Sequence, residues 1–150
     1  MHLVLSYFHK ILGPRVFLAY PDASIEEEII NKLIKIFDVE IGETFFEIIL
    51  INKKKRIINL YFELDSPWAR GNKEMIMLSL IMKLKYDSRL IYSFLVDASH
   101  NMINTPQVYK AFYKNDDFHD NDIEIDLAHE SIKQLLYECL SNLIDRLHLK

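Results

Sequence analysis

The chain has 150 residues, half of them hydrophobic and 27% charged, with a formal net charge of -4. These values describe one ordinary globular domain spanning residues 1–150 and exclude a largely disordered chain; without a net positive field, sequence-independent nucleic-acid binding has no electrostatic drive. Only three glycines occur, well below the usual ~7%, which leaves little room for a glycine-rich phosphate loop.

Residues 3–9 (LVLSYFH) and 15–20 (RVFLAY) are rich in β-formers and flank Lys10-Ile11-Leu12-Gly13-Pro14. Gly supplies unusual φ there and Pro cannot continue a ladder, so the pattern predicts a first hairpin with Gly13 and Pro14 as its structural turn. Pro21 and Asp22 end it. Ser24 and Glu27 form a capping box that opens a helix from about Ile25 to Asp38. Residues 45–52 and 56–64 predict two strands around Lys53-Lys54-Lys55, and 66–72 reads as a loop. Residues 74–84 are assigned to a fifth strand, although their Met and Leu side chains also suit a helix.

From Ser88 the apolar residues Leu90, Ile91, Phe94, Leu95, Ala98 and Met102 recur at helical spacing, Pro106 interrupts them, and 108–113 resumes the helix. A polar connection over 115–126 leads to a last helix with Ile132, Leu135, Leu136, Cys139, Leu140, Leu143 and Leu147 on one broad stripe. Residues 45–51 are apolar on both faces apart from Glu47, which requires a sheet covered on both sides. The expected architecture is therefore α+β, in the order β-β-α-β-β-β-α-α: a three-layer α/β/α sandwich around a five-stranded, mainly antiparallel sheet. The single cysteine, Cys139, cannot form an intrachain disulfide and fits a reducing compartment. Residues 1–12 carry no basic leader, and the apolar run at 75–82 is far shorter than the ~20 residues that span a bilayer. A cytoplasmic chain with at most peripheral membrane contact is expected.

The segment Tyr7-Phe8-His9-Lys10-Ile11-Leu12-Gly13-Pro14-Arg15-Val16, closing in Ala19-Tyr20-Pro21, resembles the first hairpin of longin domains. The nitrogen-permease-regulator-like, folliculin and DENN proteins carry such domains, and the chain also resembles stand-alone archaeal longins. The element order matches over about residues 3–148. The resemblance implies a profilin-like fold and a non-catalytic, dimerising scaffold in small-GTPase regulation or vesicle trafficking. The implied partner is a small GTPase or another longin or roadblock-type domain. With no coiled-coil segment after the last helix and no second domain, neither membrane fusion nor exchange activity without partners in trans is expected. A small-molecule-sensing domain of the same fold is the alternative.

Catalytic and ligand-binding constellations fare poorly. Ser66-Pro67-Trp68-Ala69-Arg70-Gly71-Asn72-Lys73 resembles a Walker loop only superficially, lacking the first Gly and the Gly-Lys pair. Asp97, Ser99 and His100 lie too close on one helical stretch to form a relay. The six histidines show no paired spacing with Cys or Glu, so no metal site, no cofactor and no enzymatic activity are expected. Asp120, Asp122 and Glu124 begin like a calcium loop, but Ile125 and Ser131 replace its obligatory Gly and Glu. The acidic segment 116–130 is then a solvated connection or a docking patch for a basic surface. Lys53-Lys54-Lys55-Arg56 is a solvated hairpin tip or a contact for anionic lipid.

Candidate partner-binding residues come from the first helix and the 66–72 loop. With Ile25 at zero and ~100° per residue, Ile30 and Ile34 fall at about 140° and 180°, outside the stripe filled by Ile25, Ile29, Leu33 and Ile36. Ile30, Ile34 and Phe37 are therefore candidates for an association surface, unless loops or sheet twist bury them. Trp68, which packs in the core or on a partner, and Arg70 complete the set.

Overall fold

The computed structural model describes residues 1–21, 25–38, 44–114 and 122–148. Five strands, β1 (His2–His9), β2 (Gly13–Tyr20), β3 (Phe45–Leu50), β4 (Lys55–Asp65) and β5 (Lys73–Lys83), form one antiparallel sheet in the order β2-β1-β5-β4-β3. Among the described residues three α-helices accompany them: α1 (Glu27–Asp38), α2 (Arg89–Ile103) and α3 (Ile123–His148). None of these helices is long and apolar enough to cross a membrane.

Apolar residues on both faces of 74–84 take the strand form because β5 is the central strand. It pairs with β1 and β4, and Ile76 to Met82 are buried without a break. A helix would have left half of these side chains in water; the central strand buries both faces, which overrides weak propensity. The one polar residue in the run, Ser79, lies opposite Asn59 and donates its hydroxyl to Asn59 Oδ1 at 2.6 Å. Both are fully buried, so the pair satisfies groups that would otherwise be costly.

The chain leaves edge strand β2 and re-enters at the opposite edge, β3, so α1 carries it across one face. There Ile29, Leu33 and Phe37 pack on Val4, Ile57, Met77 and Ile81. On the other face α2 and α3 cover Leu3, Leu5, Ile58, Leu60, Leu78 and Leu80. The result is three layers with two cores. At ~1.5–3 kcal/mol per fully buried large side chain, the three α1 anchors are the main attachment of that helix.

Several boundaries differ from expectation. Residues 51–53 and 108–113 form 3-10 turns rather than strand and α-helix. Helix α1 begins at Glu27, and the predicted cap Ser24 lies outside the described residues. The buried stripe of α1 is Ile29, Leu33 and Phe37, rotated from the expected one, because Phe37 stacks on Phe8 and meets Tyr61 with ring centroids 6.2 Å apart. Double-sided cover also fails at the edge: Ile49 of β3 is 51% exposed.

Candidate functional site

A cavity of about 350 Å3 opens at the end of the sheet, where the β1–β2 turn, the 66–72 loop and the 108–113 turn meet. The turn owes its shape to two residues. Gly13 takes φ +77°, a conformation open to Gly at little cost. His9 Nδ1 accepts the backbone N–H groups of Ile11 and Leu12, both at 3.1 Å, which places the ring proton on Nε2. The loop is held by Trp68. Its indole meets Tyr109 and Tyr113 edge-on at 5.4 and 5.2 Å, with the Lys110 ammonium 5.2 Å from its centroid.

Tyr7 and the buried Phe112, 5.4 Å apart between ring centroids, form the floor with Tyr113. Beside them Glu74 is 6% exposed, and its Oε1 accepts from the Ser66 hydroxyl at 2.9 Å and from the Tyr113 hydroxyl. This carboxylate ties the loop to the 108–113 turn. Cations line the mouth. Lys73 is paired with Asp65, and the Lys10 ammonium lies 5.7 Å from the Tyr113 ring centroid. The side chains of Arg15 and Arg70 are exposed and have no ion-pair or hydrogen-bond partner among the described residues.

Of the residues singled out in the sequence, this end of the molecule gathers Gly13, Pro14, Trp68 and Arg70, the last in the cavity wall. Arg15 stands in the first-hairpin segment but was not picked out there as a binding residue, and Glu74 and Phe112 carried no sequence motif. The one available signal was Glu74, a carboxylate heading an otherwise apolar strand.

The α1 candidates separate. Phe37 is buried and serves the core, whereas Ile30 and Ile34 are half-buried and lie outside the packed cluster. Around them Glu27, Asn31 and Lys35 are exposed, and neither Glu27 nor Lys35 has an ion-pair partner among the described residues.

The remaining clusters are mostly occupied within the chain, Lys54 of the basic tip being the exception among the described residues. Ser99 is buried and donates its hydroxyl to the Val96 carbonyl at 2.7 Å, while Asp97 and His100 face solvent, so the three do not converge. Burial, with Glu138 and Asp97 adding to it, pushes the Cys139 thiol up to about 11, which keeps it protonated and a poor nucleophile. Among the described residues no three His, Cys, Asp or Glu side chains are placed to hold a metal ion. Asp122 and Glu124 pair with Lys110, and Asp126 with Lys114 at 2.9 Å, while Asp116, Asp117 and Asp120 lie outside the described residues. At the basic tip Lys53 pairs with Glu26 and Glu28, Lys55 with Glu26, and Arg56 with Glu47.

No protein-family model matches the chain, and no curated protein does. The class defined by its own geometry is a mixed α+β domain with a five-stranded antiparallel sheet.

Proposed function

We propose that this chain is a non-catalytic, longin-like interaction module that pairs with a second copy of itself through α1. As the first-hairpin resemblance implies, it would do so in the cytosol, within small-GTPase regulation or vesicle trafficking. The observation that carries the reading is the apolar pair Ile30 and Ile34, half-buried on α1 yet outside the core it helps to build. Charge selects the partner. Glu27 and Lys35 each stand four residues from Asn31, so a two-fold axis at Asn31 sets each Glu27 against the partner's Lys35 in an antiparallel helix pair. A two-fold contact must be self-complementary in this way.

A charge swap tests it. Glu27→Lys or Lys35→Glu alone places like charges across the axis and weakens pairing about tenfold, while the double variant restores it. Sedimentation equilibrium reads the result. Equal association in all four proteins contradicts the arrangement.

A further inference from the structure

We propose that the cavity between the β1–β2 turn and the 66–72 loop binds a small organic phosphate, a phosphate monoester on an aromatic or apolar body. The site is separate from the α1 surface and uses none of its residues.

The electrostatics point to an anion. Arg15 on β2 and Arg70 on the loop reach the same cavity from segments far apart in the chain, and neither has a carboxylate partner among the described residues. Like charges gathered in one wall repel unless a counter-charge joins them. A phosphate offers double charge and three terminal oxygens, enough for forked contacts from both guanidiniums. Lys73 is engaged by Asp65 and contributes field rather than a free donor.

The floor points to an organic body. Tyr7, Phe112 and Tyr113 present an apolar surface that a bare ion would leave unfilled, and about 350 Å3 falls within the range of small-ligand sites. Glu74 adds selectivity. Its Oε1 is taken by two hydroxyls, whereas its Oε2 is in no hydrogen bond among the described residues, so it can accept from a hydroxyl or amine on that body.

Phenyl phosphate is the minimal probe, titrated into the full chain and followed by backbone and side-chain NMR. The expected result is saturable binding at millimolar concentration or tighter, with shifts centred on Tyr7, Phe112 and Tyr113. Inorganic phosphate, benzoate and phenol each bind about tenfold more weakly, since each lacks one element of the match. Arg15→Gln and Arg70→Gln are surface changes that leave the fold intact, and each lowers affinity about tenfold. Lys83→Gln removes equal charge at the other end of β5, about 30 Å away at ~3.3 Å per residue, and leaves affinity unchanged. The proposal is overturned if phenyl phosphate fails to saturate, if benzoate binds equally well, or if Lys83→Gln weakens binding as much as the arginine variants.

Discussion

His129 on α3 sits edge-on to Phe17 at 5.5 Å, with a buried Nδ1 that finds no hydrogen bond among the described residues. Burial first, then Lys114 and Lys133, hold its pKa below the ordinary 6.5; burial, the N-terminal ammonium and Lys55 act on His2 in the same direction. The sign follows from proton counting. Just below pH 6.5 the unfolded chain binds more protons than the folded one, so stability rises with pH there. The contribution is fully present above about pH 6.5 and is lost as pH falls through the lowered folded values. Thermal melts from pH 7 to pH 5 should show a falling melting temperature, with a shallower slope in His129→Leu; an unchanged slope would contradict the assignment. Little of this was legible in the sequence, because nothing local marks which histidine a distant strand will cover. Gly13 was legible, since a turn between two β-rich runs needs the conformation it adopts. Arg15 and Arg70 became a pair only through the fold: sequence spacing does not carry the register that sets Arg15 beside Tyr7.

Helix α1 shows what periodicity gives at the level of an element and where it stops. The spacing located a helix and its apolar half but not the rotation of that half on the sheet, which Phe8 and Tyr61 decide by receiving Phe37. Leu33 is fully buried while Ile34 is not. Leu33→Ala should therefore cost about 2–5 kcal/mol in chemical denaturation, while Ile34→Ala should cost less than about 1 kcal/mol, because the cost of truncation follows burial and the cavity left behind. Equal losses would mean that the helix is rotated. The same limit explains 108–113, where helical spacing after Pro106 gave a 3-10 turn: Val108, Ala111, Phe112 and Tyr113 all turn into the core. In β5 the two-sided apolar run fitted strand or helix, and only pairing on both flanks separates them.

At the scale of the whole molecule, the order of elements and the need to cover both sheet faces led to the layered α+β arrangement, since one crossing helix and two terminal helices have few ways to bury that sheet. Charge patterning was less transparent. Lys53, Lys54, Lys55 and Arg56 formed a basic run in sequence, yet Glu26, Glu28 and Glu47 meet Lys53, Lys55 and Arg56, which leaves only the exposed Lys54 without an ion-pair partner among the described residues to face an anionic surface. Surface chemistry depends on which distant segments come to lie alongside, and so does association. The central claim, pairing through α1, is tested most directly by light scattering on the wild type and on Ile30→Glu/Ile34→Glu. The account predicts a wild-type mass of twice the chain and a folded monomer for the double variant, with its melting cooperativity kept. A monomeric wild type, a variant that remains dimeric, or a variant that unfolds would contradict it.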